Sequence, residues 1–203
     1  MKKRRGKELS KVVWKGGTLL APVPPVMVSC GDMDNSNIIT IAWTGILNSN
    51  PPKTYISVRP QRHSFEIIKS TKEFVINLTP SSLVKEADFC GIYTGAKVDK
   101  FAKCGFTKSE AQTVSCPIIE ECPMNLECKV TDIVELGSHH MFIADITAIN
   151  VDESLLGEDG KLHLERAKLC AFAHGEYFEL GKKIGNFGFS VKKKKPKKHN
   201  KKK

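Results

Sequence analysis

Asn35-Ser-Asn-Ile-Ile-Thr-Ile-Ala-Trp-Thr-Gly-Ile-Leu-Asn-Ser-Asn-Pro-Pro52, followed shortly by Ser57-Val-Arg-Pro-Gln-Arg-His-Ser64, is the most informative stretch of this 203-residue chain. Its density of Ile and Thr predicts a strand over 37–47. Polar residues interrupt what would otherwise be a plain apolar run: Asn37, Thr40, Thr44, Asn48 and Ser49 stand beside small Ala42 and Gly45. A flat, mostly apolar wall with a few amide and hydroxyl groups suits a planar ring that carries carbonyl oxygens and nitrogens. An ordinary strand whose polar residues face water fits the same pattern and, on pattern alone, is the simpler account.

The second half of the stretch bears positive charge. Arg59, Arg62, His63 and Ser64 sit just before and at the start of a helix predicted over 64–71, where Phe65, Ile67 and Ile68 form an apolar face. A helix start offers free backbone N–H groups, Ser64 adds a hydroxyl, and a guanidinium grips two oxygens of a phosphate at once. Together they suit a phosphate monoester. Solvated arginines explain the same short run.

Outward from this stretch, strands dominate. Segments 25–30, 54–58, 73–78, 124–136 and 140–151 are rich in Val, Ile and Thr, and several alternate with period two. Gly137-Ser138 separates the last two as a hairpin turn would. A second helix is predicted over 83–92. Many strands with a few short helices predict a closed or nearly closed barrel, because closure removes exposed sheet edges.

Charge divides the chain into a body and two ends. Nine lysines fall within Lys192–Lys203 and five basic residues within Lys2–Lys7, so removing these fourteen from the formal +10 leaves −4 between them. The expected organisation is a basic tail at 1–10, one domain over 11–190 and a disordered Lys-rich tail at 191–203. A body at −4 without clustered aromatics argues against a nucleic-acid-binding barrel, the reading the lysine ends invite. No run of apolar residues approaches a membrane span and the basic start precedes no apolar leader, so a cytoplasmic location is expected. The seven cysteines are odd in number and scattered without a CxxC pair, which disfavours both a disulfide framework and a zinc site. Asp32-Met-Asp34-Asn-Ser36 starts like a calcium loop, yet Asn37 and Trp43 occupy the positions that need Gly and Glu, leaving a turn.

Several separated motifs then fall in register. Pro22 to Pro25 before Val-Met-Val-Ser, Asn37-x-x-Thr40-x-Ala42-Trp43, Ser49-x-Pro51-Pro52, Ser57-x-Arg59, Arg62-x-Ser64, Gly95-x-Lys97-x-Asp99-Lys100-Phe101 and Gly137-Ser-His139-His-Met-Phe-Ile-Ala-Asp145 resemble the flavin reductase-like family, most closely its flavoredoxin branch. The resemblance runs from about Lys11 to Leu180. It implies a mainly β fold, an FMN-binding split β-barrel of Greek-key type with a few short helices, assembled as a homodimer with FMN near the subunit interface. It further implies that Asn37, Thr40, Ile41, Ala42, Trp43 and Ser49 contact the ring and ribityl chain. Ser57 belongs to the same motif set, and Arg59, Arg62, His63 and Ser64 would meet the phosphate, with Lys97 and Lys100 approaching from a neighbouring loop. His139 matches the family histidine beside the ring and the nicotinamide site, a candidate catalytic residue.

Two departures bear on the donor. Ser138 stands where many relatives carry Asp, and Pro60 interrupts the usual Arg-Arg pair. NADH or NADPH as co-substrate is therefore a weaker expectation than the flavin itself. The sequence contains no GxGxxG fingerprint, so a nicotinamide donor would dock directly on the flavin. Electron transfer through bound FMN, from NAD(P)H or a ferredoxin-like protein to an acceptor, is the leading functional reading; release of reduced flavin to a separate oxygenase is the alternative. Donor and acceptor are unidentified.

Overall fold

A computed structural model describes residues 11–191, and the tails expected at 1–10 and 191–203 lie outside the described residues, Val191 apart. The chain runs β1 (Val26–Gly31), β2 (Ser36–Ile41), β3 (Thr44–Ser49), β4 (Pro52–Val58), α1 (His63–Thr71), β5 (Glu73–Asn77), α2 (Val84–Ile92) and α3 (Lys100–Cys104). Short β6 (Lys108–Ser109) and β7 (Ile118–Ile119) follow, then the long β8 (Met124–Glu135) and β9 (His140–Val151), and a closing hairpin of β10 (Cys170–Ala173) and β11 (Glu176–Glu179). Among the described residues no helix is long and apolar enough to cross a membrane.

Seven antiparallel strands form one sheet in the order β2-β1-β5-β8-β9-β4-β3. The path from β4 through α1 to β5 leaves the β9–β4–β3 side and re-enters between β1 and β8, a Greek-key crossing. The ladder of β8 with β9 shifts register twice, after Glu127 and after Val130, and such bulges deepen the twist that curls a sheet into a barrel. The barrel is split: β2 and β3 are its two edges, and no ladder joins them.

The strand predicted over 37–47 is thus two strands on opposite edges of the sheet. The chain leaves β2 at Ile41, crosses the opening through Ala42, and Trp43 already belongs to the other side, its carbonyl accepting from Ser57 N–H of β4 at 3.0 Å. Local pattern could not reveal this break, since both halves keep strand composition and only their partners differ.

Period two decides the interior. Val26, Val28 and Cys30 of β1, Ile39 and Ile41 of β2, Ile56 and Val58 of β4, Phe74 and Ile76 of β5 and Phe142 and Ala144 of β9 meet inside the barrel, where Phe65 and Ile68 of α1 plug one end. The outer faces of β1 and β2 are covered too, since Met27 and Ile38 pack with Ala87 and Cys90 of α2 and Phe101 of α3. Burial on both faces makes β2 a rigid wall.

The turn from β1 to β2 carries no calcium-loop geometry: Asp32 Oδ1 accepts from the backbone N–H groups of Asp34 and Asn35 at 3.0 and 2.6 Å, an Asx turn. Gly31 takes φ +94° there, and a Cβ on it would lie 2.1 Å from the Asn35 carbonyl oxygen. Helix α3 is absent from the sequence reading, although its ends are marked. Asp99 caps it by accepting from Ala102 N–H at 3.1 Å, and Gly105 ends it at φ +69°.

Candidate functional site

The split opens into a cleft of about 170 Å³ lined by Thr40, Ile41, Ala42, Trp43, Ser57, Arg59, Arg62 and His139, among others. A recess of about 70 Å³ shares Ile39 and Arg62 with that cleft and takes in Asn37, His63, Ser64 and Lys100. Twelve of the fourteen residues singled out in the sequence therefore gather in one groove. Ser49 and Lys97 do not. Both are exposed and line neither part. Ser49 is six residues along β3 from Trp43, about 20 Å in an extended chain, and Lys97 lies in the α2–α3 loop, where its backbone N–H bonds Thr94 O.

Within the recess the polar side chains are already engaged. Asn37 Nδ2 donates to Ser64 Oγ at 2.8 Å, joining β2 to the first turn of α1. Gly95 closes over this pair: a Cβ there would stand 2.1 Å from Asn37 Oδ1, so any other residue would have to push the Asn37 amide aside. Lys100 is 3% exposed, and its Nζ donates to Ile38 O at 2.6 Å and Cys90 O at 2.7 Å, tying α3 to β2 and α2. Two of the three ammonium N–H groups are thus spent on this tether, and one remains for the recess that Lys100 lines. Burial pushes the Lys100 pKa down; Cys90 is the main opposing influence, and the Arg62 charge adds to the fall. Thr40 is likewise committed, its hydroxyl donating to Ala87 O of α2 at 2.5 Å.

The other end of the groove is aromatic. Trp43 lies against His139, ring centroids 4.6 Å apart at 34°. Arg59 Nε donates to His139 Nε2 at 3.4 Å, which leaves the proton on Nδ1, 2.9 Å from Ser138 Oγ. Ser138 thus orients the imidazole. Burial, with the Arg59 charge second, holds the imidazole pKa below its usual value, so the ring is neutral at pH 7.

Among the described residues no Asp or Glu lines the cleft or the recess. Arg59 and Arg62 have no carboxylate partner among the described residues, whereas Lys53 and Lys129 have Asp145 and Glu73. In a body carrying −4, this acid-free groove with two free guanidinium groups and the start of α1 concentrates positive potential where a doubly charged anion gains most. Larger hollows lie elsewhere; the one of about 610 Å³ around Ser81 and Leu169 mixes Glu165 and Glu179 with Lys168 and Lys183 and has no such selectivity of sign.

The residue-level reading missed Gln61, Tyr93 and Thr94 in the recess wall, and Ser138 as the support of His139. Tyr93 and Thr94 follow α2 directly and precede Gly95 of the Gly95-x-Lys97 motif, which was the signal that could have found them.

Comparison with known proteins bears on this geometry. A model of the flavin reductase like domain matches residues 19–181. An uncharacterized protein of Archaeoglobus fulgidus is 30% identical over 142 residues, 70% of this chain and 78% of that protein. Flavoredoxin of Desulfovibrio vulgaris (Miyazaki F) has a similar structure, with a TM-score of 0.83, 32% identity and coverage of 90% of this chain and 100% of that one. Flavoredoxin from Methanosarcina acetivorans gives a TM-score of 0.82 at 25% identity, over 91% of this chain and 100% of that one.

Proposed function

The chain belongs to the flavin reductase-like family, with a flavin-related redox function, and from that premise we propose that it holds FMN in the seam of the barrel and passes electrons or hydride between a reduced donor and an acceptor. The observation that carries this reading is the acid-free recess, with Arg62 and the start of α1 at one end of a groove whose other end is walled by β2 and Trp43.

The donor set fits the group. Arg62, with Arg59 beside it and the backbone N–H groups of His63 and Ser64, suits the phosphate, and the Ile39–Trp43 wall offers apolar surface and backbone amides to a flat ring. When bound, the flavin supplies reversible one- and two-electron transfer. The chain's residues bind and orient it. Lys100 and the Asn37–Ser64 bond keep α1, α3 and β2 in fixed relation, so the cationic end is set before the ligand arrives, which lowers the ordering cost of binding. His139, neutral and pinned by Arg59 and Ser138, packs on Trp43 and flanks the groove without adding charge.

The assembly in this reading is a homodimer. Trp43 at the cleft, Ile46 and Leu47 of β3 and Leu136 after β8 are 41%, 69%, 46% and 60% exposed, apolar side chains suited to contact with a second copy. NADH, NADPH or a ferredoxin-like protein would be the donor, meeting the flavin at the open side of the cleft. Release of reduced flavin to a partner oxygenase is a second reading, favoured by one feature: Arg59, Arg62 and Trp43 are all exposed, so the groove is shallow.

An absorption spectrum of the purified protein tests the proposal, with anaerobic addition of NADH and NADPH and titration by FMN and riboflavin. Yellow protein that keeps FMN through gel filtration supports the carrier, and flavin lost on the column supports the releasing reductase. Protein that takes up neither flavin overturns both.

A further inference from the structure

Two thiols stand together at the back of the recess. Cys90, buried in the last turn of α2, and Cys104, half-buried at the end of α3, have Sγ atoms 3.9 Å apart. Other cysteines are placed differently: Cys30, Cys128 and Cys170 direct their thiols at the carbonyls of Asn37, Leu126 and Thr79. The segment between the pair includes Tyr93, Thr94 and Gly95 of the recess wall, and both ends of it meet at Lys100, whose Nζ holds the Cys90 carbonyl.

We infer that Cys90 and Cys104 are a reversible dithiol–disulfide couple that, once oxidised, ties α2 to α3 and fixes the Tyr93–Asp99 wall of the recess. The sulfurs need to close from 3.9 Å to about 2.05 Å, a movement side-chain rotation and a slight shift of the five-residue α3 can supply. The oxidant is a small-molecule disulfide. Cys104, the more accessible thiol, attacks it as thiolate, forms a mixed disulfide and expels one small thiolate. Cys90 then attacks the Cys104 sulfur and expels the second. Two protons leave the protein thiols, two electrons pass to the small disulfide, and the products are one protein disulfide and two small thiols.

The surroundings favour a slow couple with a stable oxidised form. Burial, then the proximity of Cys104, pushes the Cys90 thiol up to about 12, with Lys100 opposing and Glu86 adding to the rise. Burial raises the Cys104 thiol as well; the hydrogen bond with Cys90 is the main opposing influence, Glu86 adds to the rise, and Lys100 and Lys103 oppose it. Scarce thiolate slows exchange, but a reduced state that gains nothing from ionisation leaves the disulfide the better form under oxidising conditions. Intracellular disulfides of this kind are commonly redox-sensing rather than structural.

The consequence for cofactor retention rests on the reading of the recess as the phosphate end. A wall held at both ends has less freedom to open, and ordering a binding loop in advance tightens binding. The test uses the reduced full-length protein, incubated with glutathione disulfide at about pH 8.5, then unfolded in guanidinium chloride with excess N-ethylmaleimide so that every remaining thiol reacts, and mapped by mass spectrometry. Two of the seven thiols are expected to escape alkylation, joined in a Cys90–Cys104 peptide. FMN release from the oxidised protein should slow by about threefold or more, whereas Cys104→Ser should show neither the cross-link nor the slowing. Seven alkylated thiols, a cross-link between other cysteines, or a Cys90–Cys104 bond that leaves the release rate unchanged would overturn the inference. If the protein binds no FMN, the cofactor reading fails, and the peptide map alone decides the couple.

Discussion

β2 and β3 are consecutive pieces of one stretch and form the two edges of one sheet, yet they live in opposite environments. In β2, Ile38, Ile39 and Ile41 are 0%, 6% and 5% exposed; in β3, Ile46 and Leu47 are 69% and 46% exposed. The difference lies in what covers them. α2 and α3 lie over the outer face of β2 while the barrel core fills its inner face, and β3 has only the β4 ladder. An edge covered on both sides becomes a fixed wall for a ligand, whereas an uncovered apolar edge is a surface for another chain.

The sharpest way to break this contrast is to hollow out the covered edge. Ile38→Ala should cost about 3 kcal/mol of stability, because the cavity between β2, α2 and α3 collapses only in part. Urea unfolding should show the loss as a lower midpoint with the slope unchanged. The same truncation at Ile46 should alter the stability of a single subunit by less than about 0.5 kcal/mol.

At the junction between the edges, Arg62→Ala should weaken FMN binding by about 1.5–3 kcal/mol, roughly ten- to a hundredfold, through lost charge-assisted bonds to the phosphate. Riboflavin, which lacks the phosphate, serves as the control in fluorescence titration, and equal losses for both ligands would show that Arg62 acts elsewhere. Gly95→Ala should produce a loss of at least about tenfold for FMN, since the new Cβ drives Asn37 off Ser64; unchanged affinity would mean that the recess wall adjusts freely.

On the uncovered edge, the proposed homodimer predicts that the double variant Ile46→Ser, Leu47→Ser sediments as a smaller species than the unmodified protein with its circular dichroism spectrum retained; identical sedimentation of the two would remove β3 from the interface. The smallest expected effect concerns His139. Its folded pKa lies below the ordinary histidine value, so the unfolded chain binds the proton first, and the associated stability is present above about pH 6.5 and lost as pH falls through the folded value. The NMR titration midpoint of His139 should fall below that of a model histidine. Arg59→Ala should raise it by removing the second of its two causes.

Much of this was legible beforehand. Five of the seven sheet strands and two of the helices are visible as period-two and amphipathic patterns, β2 and β3 read as one strand, and twelve of the fourteen selected residues line the groove. The misses have specific causes. α3 has only five residues, too few for its periodicity to stand out. Ser49 is carried away by the straight rise of β3. Lys100 does line the recess, but its bonds to two backbone carbonyls depend on partners far away in sequence and leave no local signal.

The sequence by itself determined the local alternation that makes strands, the glycines and caps that end elements, and the placement of fourteen basic residues outside a body of −4. Tertiary structure alone decided that β2 and β3 part to opposite edges, that Lys100 serves as a tether, and that Cys90 meets Cys104. Periodicity records which face of a segment is apolar. Which other segment covers that face depends on contacts between residues far apart in the chain, and those are set only when the whole core packs at once.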